Sequence, residues 1–293
     1  MLKSILVPLD GSKFGELALV YAKELAIGLG AEIRLVCAPE RREEETRRAC
    51  SFYLEEIRER LHGNTQKANP AVDVRIVLVE GEPASGIVDY AEKEQIGLIV
   101  LASHGHSGIL RWPLGSIASK IIQHSPVPVL MVRASEDLLK KPPAGRVFKK
   151  ILLPLDGSPL GEAALPLTIE IAQALGSEVV LFRAVDIQLH IHSIGGPDHF
   201  RYTEQQVEQM NKDAAAYLDG TRKKYPVIKI RTLLATGDAA SEILKAAEAE
   251  NVSLVAMSSH GHTGIDRWVL GSISNKILHA GKEPLLIVRT QKT

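Results

Sequence analysis

Short apolar runs alternate along this chain with segments of helical periodicity. The first run, from Ile5 to Pro8, is followed by Asp10-Gly11-Ser12. Ala18, Ala22, Leu25 and Leu29 then fall on one helical face, and Gly30 closes that helix. The stretch from Glu32 to Cys37 predicts a second strand, and the stretch from Arg42 to Leu61 a charged helix. Val72 to Val79 alternates and is rich in β-branched residues, which predicts a third strand. Pro83 to Glu94 predicts a helix with Ile87 and Ala91 turned inward. Leu98 to Ala102 is apolar throughout, the pattern of a strand buried on both faces. Gly115 to His124 predicts the last helix and Val127 to Val132 a fifth strand. Further strands are expected near 151, 179, 228, 254 and 285. Strands alternating with helices imply right-handed βαβ units and a parallel sheet. The expected fold class is α/β, with a five-stranded doubly wound parallel sheet in each half.

The halves repeat each other. Ser4-Ile5-Leu6-Val7-Pro8-Leu9-Asp10-Gly11-Ser12 returns as Lys150-Ile151-Leu152-Leu153-Pro154-Leu155-Asp156-Gly157-Ser158, an offset of 146. Ser103-His104-Gly105-His106-Ser107-Gly108-Ile109 returns as Ser259-His260-Gly261-His262-Thr263-Gly264-Ile265, an offset of 156. Of the 19 positions from Ser103 to Ile121, 14 are identical in the second copy. So long a period means two whole domains rather than a solenoid. The change of offset predicts an insertion in the second copy, around His190 to Tyr202, where Gly195-Gly196-Pro197 interrupts regular structure. The expected division is a first domain over 1–138, a linker over 139–147 and a second domain over 148–293. Lys140-Lys141-Pro142-Pro143-Ala144-Gly145 carries the polar, Pro-rich character of the linker.

Composition changes this picture little. The 293 residues are 45% hydrophobic and 24% charged, ordinary for a globular protein, and the formal net charge is zero. There is no overall basic field to drive nucleic-acid or membrane-surface binding. No apolar run approaches the roughly 20 residues of a membrane helix. The apolar stretch at the N-terminus ends at Asp10, too early for a signal peptide. Cys37 and Cys50 are the only cysteines, which argues against a disulfide scaffold and fits a reducing cytoplasm.

Ligands of open α/β sheets bind beyond the carboxyl ends of the strands, where the strand order reverses. The repeated motifs fall at such ends. Asp10 and Asp156 follow the first strand of each copy, and the loops from His104 and His260 follow the fourth. Gly105 and Gly108 permit close backbone approach to a ligand. Gly115-Ser116 and Gly271-Ser272 each open a helix, whose free N–H groups and positive dipole end suit a phosphate. Ser116 acting only as a helix cap and glycines acting only as turns is an equally open reading of the loop alone. Neither a Walker A sequence nor the dinucleotide Gly-x-Gly-x-x-Gly is present at the required place.

These residues resemble the universal stress protein family in its ATP-binding branch, whose pattern after the fourth strand is Gly-x2-Gly-x9-Gly-Ser/Thr. Nine residues lie between Gly105 and Gly115-Ser116, and nine between Gly261 and Gly271-Ser272. The first Gly of the pattern is Ala102 in one copy and Ser258 in the other. Pro-Leu-Asp-Gly-Ser after each first strand also matches the family, and the resemblance runs over nearly the whole chain, twice. It implies two tandem Rossmann-like domains of the adenine nucleotide alpha hydrolase-like kind. It implies a nucleotide-binding regulatory protein rather than a dedicated catalyst, with ATP, ADP or AMP as ligand and Mg²⁺ accompanying the nucleotide. The residues expected to hold it are Pro8, Leu9, Asp10, Ala38, Ala102, His104, Gly105, Gly115, Ser116 and Ile117 in the first copy. In the second they are Pro154, Leu155, Asp156, Ala184, Ser258, His260, Gly261, Gly271, Ser272 and Ile273. The family pairs its domains through the fifth strand, here Val127 to Val132 and Leu285 to Val288, within one chain or in a homodimer. Two alternatives stand beside this: a slow Mg-dependent ATP hydrolase, and a non-binding, chaperone-like stress protein.

No residue is assigned a catalytic or metal-ligating role. His104 and His260 lack any Ser-His-Asp or metal spacing and are read as loop-structuring or nucleotide-contacting. His190, His192 and His199, with Asp186 and Asp198 near, lack a cysteine or second close pair for a zinc site and are read as a solvent loop. Arg111-Trp112 and Arg267-Trp268 repeat inside the nine-residue loops, either covering the nucleotide or packing. The charges from Arg41 to Arg48 are read as a solvated helix face.

Overall fold

A computed structural model shows the architecture of the chain. The structure describes residues 2–39, 43–63, 72–105, 114–186, 204–261 and 270–290. The histidine cluster at 190–199, the Arg-Trp pairs and Gly108 lie outside the described residues.

The first copy forms β1 (Ser4–Pro8), α1 (Lys13–Glu16), α2 (Ala18–Leu29), β2 (Glu32–Cys37), α3 (Glu44–Gly63), β3 (Val74–Leu78), α4 (Pro83–Lys93), β4 (Leu98–Ala102), α5 (Ser116–His124), β5 (Val129–Val132) and α6 (Glu136–Lys140). The second forms β6 (Lys150–Pro154), a 3-10 turn over Gly161–Ala164, α7 (Leu165–Leu175), β7 (Glu178–Val185), α8 (Glu204–Lys223), β8 (Ile230–Thr236), α9 (Ala239–Ala249), β9 (Leu254–Ser258), α10 (Ser272–Ala280) and β10 (Leu285–Val288). Five strands thus arise from each copy, as the apolar runs predict. The helix expected directly after Asp10-Gly11-Ser12 is broken at Leu17 into α1 and α2. The stretch expected to be linker opens with the last turn of α6, capped by the Ser135 hydroxyl.

Contacts divide the chain into two units. The first runs up to Val147 and also takes in Pro284–Arg289; the second holds most of the rest from Phe148. In the first unit β1 lies between β2 and β4, all parallel, with Ser4 opposite Glu32 and Ile5 opposite Leu98. β3 extends the sheet beyond β2, and β5 beyond β4. The strand order therefore reverses between β1 and β4, which brings the loops after them face to face. β10 adds to β5 antiparallel, with Leu285 opposite Met131 and Ile287 opposite Val129. The edge of β5, apolar over all four residues, is thereby paired from within the same chain. In the second unit β6 likewise lies between β7 and β9, with Ile151 opposite both Val179 and Leu254, and β8 lies beyond β7.

The core of each unit is its sheet. β4 and β9 are buried at every position, β1 at all but Pro8 and β6 at all but its two ends. Each such Leu, Ile or Val contributes roughly 1.5–3 kcal/mol on leaving water. Helix α2 packs on β1 and β4, and α3 on β2 and β3. Among the described residues no helix is long and apolar enough to cross a membrane.

Candidate functional site

At the carboxyl end of β1 the chain must leave the sheet and turn at once. Leu9 stays buried, its N–H donating to the Val36 carbonyl at 2.8 Å. Gly11 then takes φ +82°, a left-handed conformation that side chains with a Cβ seldom adopt. The turn closes around Asp10. Its Oδ1 accepts from the Ser12 N–H at 3.0 Å and from the Ser12 hydroxyl at 2.6 Å. The Ser12 oxygen in turn accepts from the Gly15 N–H at 3.0 Å, capping α1. The other carboxylate oxygen faces the loop after β4: a Cβ on Gly105 would run into Asp10 Oδ2 and lie 2.9 Å from its Cγ.

The loop after β4 is pinned at both ends. Ser103 N–H donates to the Val132 carbonyl at 2.8 Å, and its hydroxyl oxygen accepts from Ala134 N–H at 3.0 Å. The same hydroxyl is 3.0 Å from Nδ1 of His104, which is buried. His104 thus belongs to the frame of the loop, the structuring half of its expected role. Gly115 N–H donates back to the Ser103 carbonyl at 2.8 Å, and Gly115 caps α5 with no side-chain hydrogen bond. A Cβ there would stand 3.3 Å from that carbonyl, tight contact that favours glycine.

Between these loops lies a cavity of about 480 Å³, within the size range of small-molecule sites. It is lined by Pro8, Leu9, Asp10, Ala38, Ala102, His104, Gly105, Gly115, Ser116 and Ile117, every residue the first copy's pattern singled out. The N-terminal turn of α5 opens on it through Gly115 to Ala118. Pro39, Pro83, Ile87, Leu101 and Ile121 supply apolar walls. An apolar enclosure bordered by one carboxylate and by a helix N-terminus suits a ligand with a flat ring and an anionic tail. Sequence reasoning missed Gly15, Cys37 and Cys50, which also line it. The cysteines come from β2 and α3, and no local pattern brings these together.

The second unit repeats the frame. Asp156 Oδ1 accepts from Ser158 N–H at 2.9 Å and from its hydroxyl at 2.7 Å, and Gly157 takes φ +84°. A Cβ on Gly261 would run into Asp156 Oδ2. Ser259 Oγ is 3.0 Å from Nδ1 of the buried His260, and Gly271 N–H donates to the Ser259 carbonyl at 2.9 Å. Pro154 ends β6 and Leu155 is buried behind it; Ser272 and Ile273 open α10. The hydroxyl of Ser258, the departure from the glycine pattern, donates to the His260 carbonyl at 2.8 Å. Its extra polar atom is thereby satisfied inside the loop.

The two frames differ beside the aspartate. Ala38 lies just past the end of β2, whereas Ala184 is still within β7, opposite Ala235. Where the first copy has Cys37, the second has Arg183. Its guanidinium lies against Gly157 and 5.1 Å from the centre of the Tyr217 ring. The Tyr217 hydroxyl donates to Glu162 at 2.6 Å. Among the described residues no group of three His, Cys, Asp or Glu is placed to hold a metal ion.

Comparison with known proteins bears on the whole chain. The model of the universal stress protein family matches twice, over residues 1–133 and 148–289. A universal stress protein of Mycobacterium tuberculosis is 27% identical over 223 residues, 76% of this chain and 71% of that one. The crystal structure of a universal stress protein from Archaeoglobus fulgidus superposes with a TM-score of 0.69 at 17% identity, covering 98% of each chain. One from Pseudomonas aeruginosa gives 0.69 at 17%, covering 98% of this chain and 93% of that one.

Proposed function

The chain belongs to the universal stress protein family, and from that premise we propose that each of its halves binds an adenine nucleotide. The protein works as a nucleotide-dependent regulator in the stress response, not as a dedicated catalyst. The observation that carries this reading is the first unit's cavity, lined by all ten residues that the resemblance assigns to the first copy's site. In this arrangement the adenosine end lies against Leu9, Asp10 and Ala38. The phosphates run along Gly105 to the N-terminal turn of α5, where Gly115 and Ser116 supply N–H groups and a hydroxyl. The methyl of Ala102 replaces the first glycine of the pattern while still lining the cavity. ATP is the ligand of choice, with ADP and AMP sharing its adenosine contacts. Magnesium would accompany the phosphates, with Asp10 Oδ2, which faces the loop after β4, the carboxylate oxygen that could help hold it while Ser12 engages Oδ1.

The second half uses the same frame with Arg183 beside it, so its affinity differs from the first. The free thiols and the absence of a membrane-spanning helix among the described residues suit a cytoplasmic protein.

The test is to denature freshly purified protein and to identify and count the released nucleotide by chromatography. About two adenine nucleotides per chain is the expected result, with about one still supporting the first site. None, followed by no thermal shift on adding millimolar ATP and Mg²⁺, would overturn the reading.

A further inference from the structure

One pair of side chains in the cavity wall has no part in the nucleotide contacts above. Cys37 ends β2 and is buried; Cys50 lies in the second turn of α3 and is half-buried. Their sulfurs are 2.6 Å apart, and both are free thiols. They are the only cysteines in the chain, and both line the same cavity. The second unit has Arg183 in place of Cys37, so nothing equivalent exists there.

We propose that Cys37 and Cys50 form an oxidation-sensitive dithiol that a peroxide closes to an intramolecular disulfide, and that nucleotide in the cavity shields it. The shielding rests on the nucleotide reading above; the dithiol does not.

The two thiols have different tasks. Cys50, the more exposed, meets the peroxide first. Its thiolate attacks one peroxide oxygen, an S–O bond forms, the O–O bond breaks, and the leaving hydroxide takes a proton to become water. Cys50 is then a sulfenic acid. The Cys37 sulfur attacks the Cys50 sulfur, the S–S bond forms and the S–O bond breaks. The departing hydroxide carries off the Cys37 proton as a second water. In sum, two thiols lose two electrons and one peroxide becomes two waters. Burial, then the neighbouring Cys50 and the charge of Asp10, push the Cys37 thiol up. This keeps it protonated and inert to peroxide until Cys50 has reacted. The two sulfurs already touch, so closure asks for no large movement of β2 or α3.

The site of the pair gives the chemistry its meaning. The face of Cys50 that lines the cavity is open to a peroxide that enters it, and a ligand filling the space between Ala38 and the α5 turn removes that approach.

The test uses the full chain, reduced and then treated with a small excess of hydrogen peroxide. Samples taken over time are digested and mapped by mass spectrometry, with and without ATP and Mg²⁺, and ATP binding is measured separately by equilibrium dialysis. The expected product is a Cys37–Cys50 cross-linked peptide, two hydrogens lighter and reversed by dithiothreitol, whose formation slows severalfold with ATP. In Cys50→Ser, Cys37 should stay reduced far longer than Cys50 does in Cys37→Ser. Separate oxidation of the two residues, or links only between chains, would overturn the dithiol. A link that forms at an unchanged rate when dialysis finds two ATP bound per chain would overturn the shielding. If dialysis finds no ATP bound, the nucleotide reading fails and the shielding with it, while the peptide map still decides the dithiol.

Discussion

Gly105 stands so close to Asp10 that a single added methyl would collide with the carboxylate, its Cβ running into Oδ2 and lying 2.9 Å from Cγ. The carboxylate cannot swing away freely, because its other oxygen is held by Ser12. Gly105→Ala is therefore expected to push the loop after β4 out of the cavity while leaving the sheet intact. Nucleotide affinity of the first site should fall about tenfold or more, equivalent to about 1.4 kcal/mol, with an unchanged circular dichroism spectrum. Titration calorimetry on the variant checks this, and undiminished affinity would mean that the loop does not contact the ligand.

Ser12 links Asp10 to the first turn of α1 through a donated and an accepted hydrogen bond. Ser12→Ala should cost about 1 kcal/mol, the usual value of a lost N-cap. It should also loosen Asp10. Urea unfolding measures the first effect. A stability equal to the parent protein would show that the cap contributes nothing here.

How far the sequence discloses this arrangement depends on whether its causes are local. Leu98 to Ala102 is a strand by sequence and by structure, with identical bounds, because burial on both faces leaves a continuous apolar run. Asp10 opposite the β4 loop also follows from sequence, once β1 and β4 are neighbours. The break at Leu17 does not, since α1 has four residues, too few to show a period. Nor does the meeting of Cys37 with Cys50, which needs α3 to lie against β2. The resemblance puts Ala38 and Ala184 at the end of the second strand of each copy, but β7 runs on to Val185 while β2 stops at Cys37, so Ala184 falls inside a strand.

Glu82 provides a test by acidity. It caps α4 through Ser85 and pairs with Lys120 of α5 at 2.8 Å. The Lys120 ammonium first, and the Ser85 donors next, hold its carboxyl down from the ordinary 4.5 to about 2. A folded-state value below the unfolded one means the stabilisation is complete above pH 4.5 and fades as pH falls toward 2. Glu82→Gln should therefore be less stable than the parent near neutrality, and the gap should narrow through that acidic window. The side chain is half-exposed, so the gap should also shrink in high salt. A gap constant with pH would rule out the ionised carboxylate as its source.

Tyr53 gives a prediction of opposite sign. Its hydroxyl oxygen is buried with no hydrogen-bond partner among the described residues. Burial, with the charges of Glu16 and Asp10, pushes its titration up. Removing a buried polar atom that has no partner releases its desolvation penalty. Tyr53→Phe should be neutral or stabilising by up to about 1 kcal/mol. A loss above that in thermal or urea unfolding would show that the hydroxyl makes a bond to water.

Arg289 reaches from the end of β10 to the carbonyls of Ile122 at 2.8 Å, Ser125 at 3.2 Å and Gln123. These are the last carbonyls of α5 and the residue after it, where a guanidinium replaces the missing helical donors. Arg289→Met should destabilise the first unit by about 1–3 kcal/mol. Ending the chain at Glu283 should do more, because the apolar edge of β5 is then unpaired. Sedimentation should show self-association of the shortened chain; a monomer as stable as the parent would refute the role given to β10.

The partner of β5 is made late. Leu285 follows Met131 by about 150 residues, yet the two sit side by side. At synthesis rates of roughly 5–20 residues per second, the first unit emerges from the ribosome and waits about ten to thirty seconds for its last strand. During that interval an apolar sheet edge is exposed on every nascent chain, and neighbouring ribosomes on one message present identical edges to one another. The late arrival of the strand that covers this edge thus sets the interval in which the growing chain is most open to pairing with another.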